Sequence, residues 1–205
     1  MMTNRISTNR IGLLLIGAGC WLMLWGCASG PAPIDHYYRI DAGVPDAPAA
    51  KKLEGNLQID RLRADALTGK RQILYKETGN SSKIHQHPYQ RWSDPPTILL
   101  QTELVSFLSV AAAADSVISA TARVKANYAV SGRIREFERV LGPKVHVIVE
   151  IQLAATSAES GEILVNRIYR EERDAASDSV EASVVAFNEA VHIIFEQFLA
   201  DLTGL

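Results

Sequence analysis

Val145-His146-Val147-Ile148-Val149-Glu150-Ile151-Gln152-Leu153 carries an apolar residue at every odd position, with His146, Glu150 and Gln152 between them. A period of two marks a half-buried strand, because successive side chains leave opposite faces of the pleat. On this reading His146 and Glu150 point to solvent. Gly142-Pro143 before the run and Ser157 to Gly161 after it are turn chemistries. Upstream, Val124, Ala126, Tyr128 and Val130 alternate in the same way, and Gly132 predicts a bulge or a close approach. Downstream, residues 162–173 extend again. Residues 124–173 are therefore expected to form an antiparallel three-stranded meander with two short connections.

Helical periodicity flanks the meander. Ser93-Asp94-Pro95-Pro96 opens one helix, with Asp94 as its N-cap and Pro95 at the first helical position, where a missing N–H is harmless. Leu100, Leu104, Phe107, Leu108 and Ala111 form its apolar stripe. A second helix is expected over 179–202, striped by Val184, Phe187, Val191, Ile194, Phe195, Phe198 and Leu202, with His192 at the boundary of the stripe. Nearer the amino terminus, residues 35–41 and 57–62 read as strands, and Pro45 and Pro48 keep 43–50 a loop. Residues 72–76 and 83–91 read as a hairpin across Thr78-Gly79-Asn80-Ser81-Ser82. The fold class is α/β, a single domain with two main helices packed on a sheet.

The first residues decide the compartment. Arg5 and Arg10 precede an apolar run from Ile11 to Trp25 of about 15 residues, short of the roughly 20 a spanning helix needs. The run ends in Leu24-Trp25-Gly26-Cys27, which resembles the bacterial lipobox: an aliphatic residue and a small residue three and one positions before a cysteine whose thiol takes a diacylglyceryl group. Trp25 departs from the usual small or β-branched residue. Cys20 lacks the aliphatic residue and lies in mid-run. Residues 1–26 are thus expected to be a signal peptide, 27–35 a lipidated tether beginning at Cys27, and 36–205 the folded domain. Removing 26 of 205 residues leaves 179, enough to bury a core without disulfides, and Cys27 is the one cysteine remaining. The 21 basic and 23 acidic residues become 19 and 23 once Arg5 and Arg10 are gone, a balance that argues against a nucleic-acid partner. Attachment would then rest on acyl chains, each buried methylene contributing about 0.8 kcal/mol. Ala28 follows Cys27 where an aspartate would retain the protein at an inner membrane, so the expected location is the outer membrane, facing the periplasm.

Chemistry is sparse. No Gly-x-Ser-x-Gly, Walker loop or His-Glu-x-x-His occurs, so neither a catalytic residue nor a cofactor is expected. His85 and His87, two apart on a strand, could share a face, but Pro88 follows and no carboxylate or cysteine is near in sequence; no metal site is assigned. Arg133, Arg135, Glu136 and Glu138 read as a charged, solvated face.

His36-Tyr37-Tyr38-Arg39-Ile40, Arg91-Trp92-Ser93-Asp94-Pro95-Pro96 and the run from Tyr128 through Gly132 to Glu138 follow one another in that order. With the lipobox, this order resembles the ABC-type transport auxiliary lipoprotein family, which includes paraquat-inducible outer-membrane lipoproteins, over roughly 35–202. The resemblance implies a mixed, mostly antiparallel sheet similar to the amino-terminal domain of TolB. It also implies partnership with inner-membrane ABC and MCE components that pass lipids between membranes, in a non-enzymatic role supporting outer-membrane integrity. Homo-oligomers are compatible with such a subunit, and a structural or assembly lipoprotein is the alternative. Trp92 is expected to pack the loop before the helix; its functional alternative is an aromatic contact surface with Tyr89 and Tyr37 for a partner or lipid.

Overall fold

The computed structural model describes residues 33–204. Cys27, Cys20, the expected signal peptide and most of the expected tether lie outside the described residues. Among the described residues, eight strands and two α-helices follow in chain order: β1 His36–Tyr38, β2 Leu53–Ile59, β3 Gln72–Glu77, β4 Asn80–Trp92, α1 Pro96–Val110, β5 Ala114–Ser119, β6 Tyr128–Leu141, β7 His146–Ser157, β8 Ile163–Asp174 and α2 Val180–Thr203.

The meander stands as expected. β7 pairs antiparallel with β6 along nearly its whole length and with β8 on its other side. Val147, Val149, Ile151, Leu153 and Ala155 of β7 are each fully buried, because their face meets the helices. The meander begins at Tyr128; Val124 and Ala126 precede it, and a 3-10 turn, Ala120–Ala122, stands before them.

The far edge of β6 is shared by two strands. β2 runs parallel to it at Tyr128–Val130, and β3 runs parallel to it at Glu138–Leu141. The sheet therefore forks: β2 carries β5, again in parallel, while β3 carries β4 and then β1. The longest ladders are antiparallel and the branches supply the parallel pairings. Strand β5 has no counterpart in the sequence reading. Its Ala114-Asp115-Ser116 start follows an alanine run, and it becomes a strand because β2 offers it an edge.

α1 packs against β2 and β5, and α2 against β7 and β8, all on one face of the sheet. Pro96, not Pro95, is the first helical residue, and Pro95 is the N-cap at φ −53°, ψ 138°. A residue before proline is excluded from the helical region by the following ring, so tandem prolines postpone the start by one residue. Asp94 makes no capping bond. α2 is capped as its sequence suggests: the Ser179 hydroxyl accepts from the Ala182 N–H at 3.0 Å.

Faces of β6 are set by a bulge. Ile134 lies opposite Ile151 and Glu136 opposite Glu150, so Arg135 is an extra residue. A bulge restores one face after a break in the period. Val130, Ile134 and Phe137 accordingly all face the core, while Arg135 and Glu136 both reach Glu150 or its partners on the open face. Gly132 marks the close approach rather than the bulge: a Cβ there would stand 2.7 Å from the Gln152 carbonyl oxygen and 2.9 Å from a Leu62 methyl.

Candidate functional site

Trp92 ends β4 and is 1% exposed. Its ring sits 5.2 Å from Phe137 and 5.4 Å from Phe187, which are themselves 4.6 Å apart. This trio joins the β3–β4 branch, the meander and α2. The three aromatic residues grouped by sequence are therefore separated. Trp92 offers no surface to a partner, because its alternation on β4 turns it toward α2. Tyr37 and Tyr89 are 56% and 42% exposed. Tyr37 lies opposite Arg91, two residues along β4 from Tyr89. The Arg71 guanidinium covers one side of the Tyr37 ring at 5.3 Å, and Asp35 accepts its hydroxyl at 3.3 Å. The Tyr37 ring is thus positioned while its outer side stays free.

Beneath this branch lies a buried polar node that sequence reading did not single out. Arg139, 2% exposed, donates to Ser183 Oγ at 2.8 Å and to the carbonyls of Asp178 and Ser179 at 2.7 and 3.2 Å. Its third group lies 2.8 Å from His87 Nε2. Because a guanidinium only donates, His87 accepts there with an unprotonated Nε2. Burial, reinforced by the Arg139 charge, pushes His87 down to about 4. Burial also lowers Arg139, with Asp178 and Glu181 opposing. Tyr75 stacks on His85 at 5.0 Å and meets His87 at 4.5 Å. The two histidines do share a face, but His87 is committed to Arg139. The signal in sequence was parity: on β6, Arg139 follows Phe137 by two and so falls on the core face.

The node extends to β1. The Tyr38 hydroxyl donates to Glu181 Oε1 at 2.6 Å and lies 2.7 Å from the Gln90 amide oxygen. Burial and then Glu181 push Tyr38 up to about 12, while the Tyr38 bond holds Glu181 low. β1 is thereby tied to β4 and to the first turn of α2.

The opposite face of the meander carries an ion network. Glu150 takes Arg135 at 2.6 Å and Arg170 at 3.0 Å; Arg170 also reaches Glu136 and Glu172. Lys76 stands 3.1 Å from Glu136 and 3.2 Å from Glu138. The charged face is therefore present, except that Glu138 is 3% exposed. Burial raises its carboxyl above the usual range against the pull of Lys76. His146 is partly exposed, as expected.

The sequence model of the ABC-type transport auxiliary lipoprotein component family matches residues 38–197. Among solved structures, a Xanthomonas campestris protein of family DUF330 is similar with a TM-score of 0.71 at 16% identity, covering 82% of this chain and 96% of that one. An uncharacterised protein follows at a TM-score of 0.60 and 12% identity, covering 82% and 97%. No curated protein matches significantly. The structural likeness bears on the fold alone.

Proposed function

The chain belongs to the family of ABC-type transport auxiliary lipoprotein components, and from that premise we propose a non-enzymatic accessory subunit of an intermembrane lipid transport system. In this reading Cys27 is acylated, holds the domain at the periplasmic face of the outer membrane, and presents it to inner-membrane ABC and MCE components. The observation that carries the reading is the family match across nearly the whole folded unit, 38–197. Two features support it. His87, half-buried, is committed to the Arg139 guanidinium 2.8 Å away and so is poorly placed to act as a base. No helix among the described residues is long and apolar enough to cross a membrane, which leaves attachment to the segment before them. Residues 28–35 span at most about 28 Å when extended, so the domain works near its membrane and the transporter bridges the remaining distance.

The test pairs fractionation with co-purification. Cys27→Ala is expected to leave the outer-membrane fraction and to lose detergent-phase partitioning. The wild-type chain, crosslinked in cells, is expected to bring down an ABC ATPase or permease together with an MCE protein. Recovery of a peptidoglycan or assembly complex in their place would overturn the transport role, and membrane retention of the alanine variant would overturn the anchor.

A further inference from the structure

The connection from β1 to β2 crosses the outer side of α2 and is fastened there by side chains. Asn188 accepts from the Asp41 N–H at 3.1 Å, and Glu196 Oε1 accepts from the Asp46 N–H at 2.7 Å. Between them His192 places Nδ1 2.9 Å from the Ala42 carbonyl oxygen. A carbonyl can only accept, so Nδ1 carries a proton and donates it there, leaving Nε2 as the ring nitrogen able to offer a lone pair. Nε2 stands 3.5 Å from Asp46 Oδ1. The ligand atoms of Asp46, His192 and Glu196 all lie within 4.8 Å of one another.

We propose that Asp46, His192 and Glu196 form a zinc-type divalent transition-metal site that pins the β1–β2 connection to α2. Four features of the geometry converge on it. His192 and Glu196 stand four apart on a helix, so their side chains rise from the same face. The imidazole is held in the manner of a metal ligand, its far nitrogen donating to a backbone carbonyl, which fixes the tautomer. Phe107 meets the ring edge-on at 5.7 Å and fixes its plane. The 3.5 Å separation is long for a charge-assisted hydrogen bond, which runs at about 2.7–2.9 Å. It matches the roughly 3.4 Å between two ligands that each stand about 2.1 Å from a tetrahedral zinc.

One imidazole nitrogen with two carboxylates selects a transition cation over calcium or magnesium, which take oxygen ligands alone. Three protein ligands leave a fourth position to water. Ions have a way in, because Asp46 is largely exposed. The competing arrangement is an imidazolium clamped between carboxylates with no ion.

Isothermal titration of zinc chloride into the detergent-solubilised full chain, purified without a polyhistidine tag, decides between them. The expected result is one zinc per chain, tighter than magnesium or calcium by at least a hundredfold, with a higher melting temperature when zinc is present. Asp46→Asn and Glu196→Gln change partly or fully exposed side chains, and Glu196→Gln keeps an oxygen to accept from the Asp46 N–H, so each should fold and bind at least tenfold more weakly. Substoichiometric binding, zinc affinity unchanged in both variants, or equal affinity for magnesium would each overturn the site in favour of the ion-free clamp.

Discussion

Arg139 is a buried cation with no carboxylate in contact, held by two carbonyls, a hydroxyl and an imidazole. Such a charge is tolerated only because each of its nitrogens finds an acceptor, and His87 is the one partner that can change state. Protonated, it would set a second cation against the first and lose its acceptor. The sign follows. His87 binds its proton at about 4 in the folded chain against an ordinary 6.5, so between these values the unfolded chain holds more protons. The stabilisation is complete above pH 6.5 and is lost as pH falls toward 4. At about 1.4 kcal/mol per unit, discounted for partial exposure, the loss is about 2 kcal/mol. Glu138 acts in the opposite direction, since its raised carboxyl favours the folded state at low pH, so the His87 contribution is best read by difference. His87→Gln keeps an acceptor for Arg139 without the titration. Melting temperatures from pH 7 to 5 should decline less steeply in the variant; equal slopes would remove His87 from the pH response.

At the scale of elements, the bulge in β6 does what a change of sequence would otherwise have to do. Arg133-Ile134-Arg135-Glu136-Phe137-Glu138 has apolar residues three apart at 134 and 137, a step no regular strand accommodates on one face. Absorbing Arg135 puts Ile134 and Phe137 both in the core. Deleting Arg135 should therefore regularise the ladder, with Ile134, Glu136 and Phe137 keeping partners Ile151, Glu150 and Val149. The loss would be little more than the exposed Arg135–Glu150 pair, below about 1 kcal/mol. Deleting Arg133, only two positions away, should turn Ile134 outward and Arg135 into the core, and abolish cooperative unfolding. Circular-dichroism melts of both proteins test this; two equally unfolded deletions would refute the assignment of the extra residue. The same strand shows what the sequence discloses. The meander, the hairpin and α2 are legible because period and turn chemistry are local signals. The fork is not, since the sharing of one β6 edge by β2 and β3 depends on chain segments about seventy residues apart. Arg139 was readable by parity, whereas the meeting of Asp46 with His192 and Glu196 depends on how the β1–β2 connection lies on α2, and no local pattern records it.

In the whole molecule, the surfaces divide by what already satisfies them. The helix-bearing face of the sheet is filled by the core, and the opposite face of the meander neutralises itself through Lys76, Arg135, Arg170 and their glutamates. The β3–β4–β1 branch differs: Tyr37, Ile84 and Tyr89 are large apolar side chains there, each at least 40% exposed. It is also the branch that begins closest along the chain to Cys27. Exposed tyrosines held by a rigid scaffold can bury area in a partner at low entropic cost, and such anchors carry much of an interface's energy. If this branch meets the transporter, replacing Tyr37 and Tyr89 together by serine should leave stability within about 1 kcal/mol, as for other exposed positions. It should also lower recovery of crosslinked transporter components at least tenfold. Trp92→Ala supplies the contrast. It empties the space beside Phe137 and Phe187 and should destabilise the domain by about 3–5 kcal/mol, so any loss of partner it causes would accompany a lower melting temperature. A double-serine protein that melts as the wild type does and still captures its partners in full would move the interface to another surface, first of all to the unpaired edge of β8.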